Sequence, residues 1–361
     1  MDQLSRRTLN RTTLDRQSLL NRSTVTANAM VEQLVGMQAQ NPNDTYFALW
    51  SRIDNFEAQT LSTMVERGEA VRGQLMRATI HLTTTPDFLS LRPHLQTVCA
   101  RTLGSTVFAR DTNEVDREAV LRLGRSLLDR EPMTRARLGP LLEAEWPDVP
   151  GASLAQVVTY LLPVVQIPPR GLWQQTGAAA WTTVERWTGS ELVTGLPVED
   201  VLRRYLAAFG PASVADMRAW SGLSGLREIV DRMRPQLRVF RNESGVELLD
   251  IPDAPIVDED TPAPPRFLPE YDNVLLAHSD RSRFFLDGVT PQGWVGNLLI
   301  DGVFSGGWKV HSDRGGHRME IMLQRAIPRA EVEAAVKEGN RLLAFVEPGN
   351  TPGEVTVRAV D

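Results

Sequence analysis

The stretch from residue 198 to residue 250 most constrains the fold, because it contains residues that clearly mark the beginnings and ends of three helices and a hairpin. Its first helix has the three- and four-residue spacing of a buried apolar face and ends at Gly210-Pro211. Ser213 can cap a second helix and Ser224 a third, and Gly222 breaks the chain between them. Two short apolar runs then flank a polar turn. Three helices followed by a hairpin is the order of a winged helix, an elaborated helix-turn-helix.

The same element order is predicted twice more upstream, in element order only and without identity between the copies. The first copy has predicted helices and then strands near residues 26–38, 44–53, 58–67, 74–76 and 80–82. The second copy has predicted helices and then a hairpin near residues 115–128, 134–145, 153–161, 164–167 and 172–173. We therefore expect an α+β protein that contains three tandem winged helix-turn-helix modules.

A proline-rich linker at 253–269 separates these modules from a region of short apolar runs punctuated by glycine. This region predicts strands at 294–300, 303–304, 308–310 and 355–357, hairpin turns at Gly302, Gly306 and Gly307, and one helix at 328–343. The predicted domains are winged helix 1 (1–105), winged helix 2 (106–195), winged helix 3 (196–252), the linker (253–269) and a β-rich C-terminal domain (270–361).

Composition excludes several classes of protein. The chain is 42% hydrophobic and 23% charged, which is typical of a soluble globular protein. Cys99 is the only cysteine, so an internal disulfide and a cysteine-based zinc site are excluded, and its apolar surroundings predict core packing instead of catalysis. With no leader sequence and no run of about 18 apolar residues, we expect a cytoplasmic protein.

Charge and spacing bear on partners and cofactors. The formal net charge of −6 argues mildly against nucleic acid, but five arginines among the first 22 residues leave a local basic face available. His311, Asp313 and His317 match no standard ligand spacing, so we expect no metal and no cofactor. No repeated apolar seam is present, so we expect a monomer.

Two glutamines lie where a predicted helix must stop. Gln38 and Gln40 are followed at once by Asn41-Pro42, and proline pushes the residue before it out of the α region. In a continued helix their side chains would point about 200° apart, but at an unwinding end both can face one cavity. Apolar neighbours and the aromatic run 46–50 place the amides in partly buried surroundings, where each needs a partner. The alternative is a pair of solvated surface amides.

Six segments in chain order form a recognisable set: 36–40 (GMQAQ), 76–82 (MRATIHL), 168–173 (PPRGLW), 209–213 (FGPAS), 268–273 (LPEYDN) and 278–283 (HSDRSR). Together they resemble the AlkZ-like winged-helix DNA glycosylases of the YcaQ/AlkZ superfamily. The sister branch of that superfamily carries Gln-x-Asp at the first segment, so Gln40 places this chain on the AlkZ-like, Gln-x-Gln side.

The resemblance implies three winged helices that form a concave channel for duplex DNA, with Gln38 and Gln40 as the catalytic element. Members of this branch include self-resistance enzymes of bacteria that make DNA-alkylating antibiotics. They excise bulky N7-alkylguanines and can unhook interstrand crosslinks. We therefore expect a bacterial, nucleoid-associated DNA glycosylase that acts on alkylated double-stranded DNA in repair or self-resistance.

The same segments supply further candidate residues. Four arginines are candidate DNA contacts, the first of them at a predicted wing tip: Arg170, Arg77, Arg281 and Arg283. Four other residues are candidate pocket residues: His81, Asp272, Asn273 and His278. The structural alternative for Arg77 and His81 is to bridge buried carbonyls. For the two arginines near residue 282 it is an ion pair with Asp272 or Asp280.

Amide chemistry limits what Gln38 and Gln40 can do. Glutamine is no efficient general base at neutral pH. Alkylation at N7 makes guanine cationic, so its departure yields a neutral base and needs no general acid. The amide oxygens could then hold a water beneath C1′ and place negative dipole ends near the developing oxocarbenium ion. Two other interpretations remain, a winged-helix DNA-binding regulator without catalysis and a hydrolase of free modified nucleosides.

Overall fold

The computed structural model describes residues 2–286, 289, 291, 293, 296–313, 316–348 and 353–360, apart from the side chain of Asp313. The helices are α1 (Arg6–Arg16), α2 (Ala27–Gln33), α3 (Asp44–Arg52), α4 (Ala58–Glu66), α5 (Thr85–Leu91), α6 (Gln96–Gly104), α7 (Val107–Asp111), α8 (Arg117–Arg130), α9 (Arg135–Glu143), α10 (Gly151–Leu161), α11 (Val184–Thr188), α12 (Val198–Phe209), α13 (Val214–Ser221), α14 (Leu226–Met233), α15 (Asn273–Leu276) and α16 (Arg329–Val346).

The strands are β1 (Gln3–Leu4), β2 (Met37–Gln38), β3 (Ala70–Gln74), β4 (Ile80–Thr84), β5 (Met133–Thr134), β6 (Val164–Ile167), β7 (Ala180–Thr183), β8 (Arg238–Asn242), β9 (Glu247–Asp250), β10 (Arg266–Pro269), β11 (Gly296–Ile300), β12 (Val303–Asp313), β13 (Gly316–Leu323) and β14 (Val355–Ala359). They form three sheets with the orders β2-β4-β3-β6-β7-β5, β1-β8-β9 and β10-β11-β12-β13-β14. The predicted α+β class and the β-rich C-terminal region are both confirmed.

The helices and hairpin between residues 198 and 250 follow the prediction closely. Ser213 and Asp216 form a reciprocal capping box at the start of α13, and Gly222 ends this helix in the left-handed conformation. The predicted cap at Ser224 is wrong, because α14 begins one residue later than that cap allows, with Gly225 at its N-cap. Strand β1 adds to the hairpin by pairing in parallel with β8.

The second predicted hairpin has a different return strand. Strand β6 is confirmed, but its partner is β7 and not residues 172–173. The chain after β6 leaves the sheet because Trp173 inserts between aromatic rings elsewhere, with centroids 5.0 Å from Tyr46 and 5.0 Å from Phe345. The segment 168–179 is therefore a long loop between the two strands of this hairpin.

The first predicted module differs most around the glutamines. Helix α2 ends at Gln33 instead of continuing to 38, since Val35 and Gly36 both adopt positive φ angles, of 54° and 89°. A Cβ at position 36 would collide with Thr83, so glycine is required at this close approach. The predicted strand at 74–76 is also wrong, because β3 ends at Gln74 and a 3₁₀ turn follows it.

In the C-terminal sheet, the turn at Gly302 is confirmed, whereas Gly306 and Gly307 lie inside β12. Gly306 has a φ of 154° and lies opposite Leu298, where the register of β11 and β12 shifts. The predicted start of β11 at Trp294 lies outside the described residues. The predicted C-terminal helix is confirmed as α16.

Two apolar cores meet near β2. One core contains β3, α5, α6 and the helices α12 to α14, and it includes Cys99, which is buried as predicted. The other joins α2, α3 and α4 to the C-terminal sheet and α16. Strand β2 and its partner β4 therefore lie where the N-terminal helices, the third winged-helix-like unit and the C-terminal sheet approach one another. Among helices in the described part of the chain, none is long and apolar enough to cross a membrane.

Candidate active site around Gln38

Gln38 and Gln40 lie on and just beyond a short strand, not at an unwinding helix end. Strand β2 pairs antiparallel with β4, and Gln38 stands opposite His81. The N–H of Ala39 continues the ladder by donating to the Ile80 carbonyl at 2.7 Å. The strand, and not a helix, therefore sets the side-chain directions of the motif.

The Gln38 amide is buried and held by an arginine. Its side chain is 7% exposed, and its Oε1 accepts a hydrogen bond of 2.7 Å from Nη2 of Arg77. A cavity of about 10 Å³ adjoins it and is bordered by the two predicted pocket residues Asp272 and Asn273. This volume is at the lower limit for one water molecule, roughly 10–15 Å³.

Arg77 connects three parts of the chain at this point. Besides Gln38, its guanidinium donates to the Trp220 carbonyl at 2.7 Å and to Oδ1 of Asn273 at 3.4 Å. Asn273 in turn donates to the carbonyl of Gly36 at 3.1 Å. Burial lowers the pKa of Arg77 to about 10, so it stays charged at neutral pH. The alternative of bridging a buried carbonyl is thus realised at Trp220, together with a contact to the motif.

His81 is neutral at physiological pH. Burial, and secondarily the charge of Arg77, lower its pKa to about 3. Its Nδ1 lies 3.1 Å from the Thr79 carbonyl, and a carbonyl can only accept, so Nδ1 carries the proton. Its Nε2 is buried without a hydrogen-bond partner among the described residues. The imidazole therefore contributes a fixed dipole and no charge.

The Gln40 side chain replaces a backbone acceptor in the β2–β4 ladder. Ile80 N–H donates to Oε1 of Gln40 at 3.0 Å, and the Ala39 carbonyl instead accepts from Nη2 of Arg72 at 2.7 Å. Gln40 is exposed, in contrast to Gln38. The exchange ends the ladder and fixes the backbone between the two glutamines.

Arg72 is a residue that the sequence did not indicate. It is 1% exposed, and burial followed by the nearby charge of Arg170 lowers its pKa to about 10. No carboxylate among the described residues lies within salt-bridge distance of it, and two of its nitrogens have no hydrogen-bond partner there. A single arginine in the short strand β3 gives no pattern by which to predict such a role.

The sequence matches the family described as DNA glycosylase AlkZ-like over residues 31–345. This chain belongs to the AlkZ-like DNA glycosylase family. The structure is similar to that of the Streptomyces sahachiroi DNA glycosylase AlkZ, with a TM-score of 0.71 and 20% identity over 99% of this chain and 100% of that chain. At that identity the likeness shows a shared fold. The chain has no match among curated protein sequences. Family membership makes it a DNA glycosylase with DNA as its substrate.

Two predicted DNA contacts of this AlkZ-like chain lie at or near its surface. Arg170 follows β6 in the loop 168–179, is half-buried, and donates to the Gly177 carbonyl at 3.0 Å. Arg281 is exposed and its guanidinium lies 4.5 Å from the ring centroid of Phe285. Neither forms an ion pair with a carboxylate among the described residues. Their guanidinium groups keep donors available for a phosphate.

Arg283 and His278 lie inside the protein, away from the Gln38 contacts. Arg283 is 6% exposed and donates to Oγ1 of Thr13 at 2.9 Å and to the Pro211 carbonyl at 3.2 Å. Nε2 of His278 lies 3.0 Å from the Phe209 carbonyl, and burial lowers the pKa of this histidine. These contacts assign both residues to internal packing, so we drop Arg283 as a DNA contact and His278 as a pocket residue.

Asp272 is committed to a buried ion pair. Both of its oxygens accept from Arg52, at 2.7 and 2.8 Å, and not from the arginines near residue 282. The alternative in which Asp272 pairs with those arginines is therefore not realised. Asp272 borders the cavity at Gln38, but its charge is already matched.

The histidines of the C-terminal sheet pair with carboxylates. Nε2 of His311 lies 3.3 Å from Glu320, and Nδ1 of His317 lies 2.6 Å from Glu347. The side chain of Asp313 is outside the described residues. Within the described part of the chain, no three histidine, cysteine, aspartate or glutamate side chains form a group that could hold a metal ion.

Proposed function

We propose that this AlkZ-like chain is a monofunctional DNA glycosylase that hydrolyses the N-glycosidic bond of cationic N7-alkylguanine in duplex DNA and leaves an abasic site. The observation that carries the proposal is the chemistry around Gln38. Its surroundings are an arginine that is charged at neutral pH, a neutral histidine opposite it in the ladder and a cavity whose one carboxylate is paired with Arg52. None of these contacts of Gln38 is an efficient general acid or base near neutral pH. Asp44, whose pKa burial raises to about 7, accepts a hydrogen bond from Asn41 and has none with either glutamine among the described residues.

A cationic leaving group removes the need for either. The positive charge on an N7-alkylated guanine makes the base depart as a neutral molecule, so the remaining task is to position water and to stabilise the oxocarbenium ion. The carbonyl oxygen of an amide has two lone pairs, and Arg77 uses one of those on Gln38. The second lone pair can accept a hydrogen bond from the attacking water. Arg77 thereby acts as a positioning residue for the Gln38 amide.

Gln40 is proposed as the second water-holding amide. Its Oε1 already accepts one hydrogen bond, from Ile80 N–H, and its exposed side chain retains a second lone pair for water. The Ala39 carbonyl is fixed by Arg72, so the spacing between the two amides is held by buried contacts. In this mechanism the two amides act by positioning the water and not by removing a proton from it.

No lysine is among the described residues that contact Gln38 or line the cavity beside it, which supports hydrolysis without strand cleavage. A glycosylase that also cleaves the strand needs an amine to form a Schiff base at C1′. The chain has two lysines, Lys309 and Lys337, both beyond residue 300. Neither belongs to the contacts of Gln38 or Arg77.

The three helix-and-hairpin units, with the domain limits given above, are proposed to surround the duplex as winged helices. Arg170 and Arg281 are proposed to contact its phosphates, since both retain free donors near the surface. Bulky natural-product adducts and interstrand crosslinks at N7 make the guanine cationic, as N7-methylation does, so the base again leaves as a neutral molecule. We therefore extend the proposed substrates to them and the role to repair or self-resistance.

The test is release of the modified base from duplexes that carry one N7-methylguanine or one bulky N7 adduct, measured by mass spectrometry and by alkali-labile strand breaks. We expect free adduct and an abasic site, and nothing from a matched undamaged duplex. Binding without release from either adduct would instead favour a non-catalytic DNA-binding protein. Equal release from the free nucleoside would favour a nucleoside hydrolase.

A further inference from the structure

An open cleft of about 720 Å³ lies along α13 and the turn that joins it to α14. Three arginines from two separate parts of the chain line it, Arg101 on α6, Arg218 on α13 and Arg227 on α14. The other lining residues are small, apolar or hydroxyl-bearing. The cleft is therefore built mainly from the helix-turn-helix part of the third unit.

The cleft is basic although the whole chain is acidic. The formal net charge is −6, yet no carboxylate is among the described residues that line this cleft. Arg218 and Arg227 are exposed, and in the described part of the chain neither has a carboxylate within 4.0 Å. Arg101 donates to the carbonyl of Gly222 at the cleft wall. Two unpaired guanidinium groups in one concavity favour a phosphate-bearing partner.

The cleft adjoins the candidate active site. Gly222 lines the cleft, and a Cβ built on it would lie 3.4 Å from Cα of Arg77. Two residues earlier, the Trp220 carbonyl accepts from the same Arg77 that holds Gln38. A strand of DNA with its reacting nucleotide at Gln38 would therefore run close to this cleft.

Helix α14, which would enter the major groove in a standard helix-turn-helix, is poorly suited to that place. Beyond Arg227 at its start, its exposed face carries Glu228 and Asp231, which repel phosphate. Arg232 on the same face is already paired with Glu199 at 2.8 Å. Positive charge without a carboxylate partner is thus concentrated on the turn side of the unit, at the end of α13 and the start of α14, and not along the rest of α14.

We propose that the Arg101–Arg218–Arg227 cleft binds the phosphate backbone of duplex DNA on one flank of the damaged nucleotide, independently of sequence. The third unit then contacts DNA at the junction of α13 and α14, through Arg218 and Arg227, and α14 does not lie along the major groove. This inference rests on the proposed function for the position of the lesion. The binding surface itself needs no lesion and can be tested without one.

The test is the affinity for an undamaged fluorescent duplex, measured by anisotropy over a series of salt concentrations. Each phosphate contact that is lost should reduce the salt slope by about one. We expect this reduction for Arg218→Ala and for Arg227→Ala, and about twice as much for the double variant. Arg232→Ala is the matched control, since it removes the same charge from the same unit outside the cleft.

A second arm uses a duplex with one N7-methylguanine and replaces its backbone phosphates by neutral methylphosphonates, a few positions at a time. On one flank of the lesion, the replacement should weaken DNA binding by the wild-type protein and leave binding by the double variant unchanged. An unchanged salt slope in the double variant, or an equal loss in Arg232→Ala, would overturn the cleft as the phosphate site.

The same protein is assayed for base release, so the two proposals fail separately. Arginine-dependent binding without any release would remove the glycosylase mechanism and keep the surface. Release with arginine-independent binding would do the reverse. Because both arginines are exposed and make no side-chain hydrogen bond within the described residues, unchanged thermal unfolding is expected and checks the fold.

Discussion

Oε1 of Gln38 lies 2.7 Å from Nη2 of Arg77, and the same guanidinium reaches the Trp220 carbonyl through its other terminal nitrogen. At neutral pH the hydrogen bond places a positive charge against the oxygen of the amide and restrains its orientation. It also ties strand β2 to the end of α13. The orientation of Gln38 is therefore coupled to the packing of the third unit on the first.

Substitution of either glutamine should reduce catalysis without reducing DNA affinity. For Gln38→Ala and Gln40→Ala we expect single-turnover release of N7-methylguanine to fall by roughly 10²-fold, the usual effect of deleting one stabilising dipole from a site. The affinity of each variant for the same duplex should stay within about twofold of the wild-type value, because phosphate contacts dominate binding. A parallel loss of affinity and rate would contradict a catalytic role.

Removal of the Arg77 guanidinium should impair both the site and the fold. Arg77→Met leaves the Trp220 carbonyl without its donor, which should lower the free energy of unfolding by about 1–3 kcal/mol. Release of the base should fall more than DNA affinity, because the Gln38 amide is no longer oriented. Arg232→Ala is the control on an exposed arginine that is not among the proposed DNA contacts. Wild-type release rates in Arg77→Met would refute the positioning role.

Local signals explain which parts of the fold the sequence predicts well. The capping box of Ser213 and the left-handed stop at Gly222 act within one helical turn, so α13 was predicted at the right place. Strand β7 was missed because the choice between residues 172–173 and 180–183 depends on where Trp173 packs. Its neighbours Tyr46 and Phe345 are far away in sequence, and no local pattern reports them.

The candidate site, like the fold, could be predicted from the sequence only where local signals mark it. Apolar neighbours and Pro42 mark Gln38 and Gln40 as unusual, but the strand that holds them exists only because β4 pairs with it across some 40 residues. Arg72 was not predicted, since its function depends on the Ala39 carbonyl losing its usual ladder partner. Such an exchange of acceptors depends on contacts between distant parts of the chain, which no local sequence pattern shows.

Arg72 should matter for rate more than for stability. Arg72→Met removes the donor to the Ala39 carbonyl, but it also removes a buried charge that has no carboxylate partner among the described residues. We expect little change in thermal unfolding and a fall in base release of up to about 10²-fold, since small displacements of catalytic groups have such effects. Faster amide exchange at Ile80 would report the loosened ladder. Unchanged release would show that Arg72 does not hold the motif.

Asp44 should make the protein less stable as the pH rises. Burial raises the pKa of its carboxyl from 3.8 to about 7, so between these values the folded state holds a proton that the unfolded state has lost. The free energy of unfolding should therefore fall with rising pH, by about 1.4 kcal/mol per unit for this group.

Asp44→Asn removes that titration while keeping the size of the side chain. The variant and the wild type should be similarly stable at about pH 4, where both side chains are neutral in the folded protein. At about pH 8 the variant should be the more stable of the two by denaturant unfolding. A stability difference that does not change with pH would show that Asp44 titrates normally.

The measurement that bears most directly on the Gln38–Gln40 site compares one lesion in two charge states. A duplex with N7-methylguanine carries a cationic base, and mild alkali opens its imidazole ring to give a neutral base at the same position. Under single-turnover conditions, release of the cationic base should depend on Gln38 and Gln40, and release of the neutral base should not exceed the uncatalysed background. Equal, glutamine-dependent release of both bases would contradict a mechanism that relies on the charge of the leaving group.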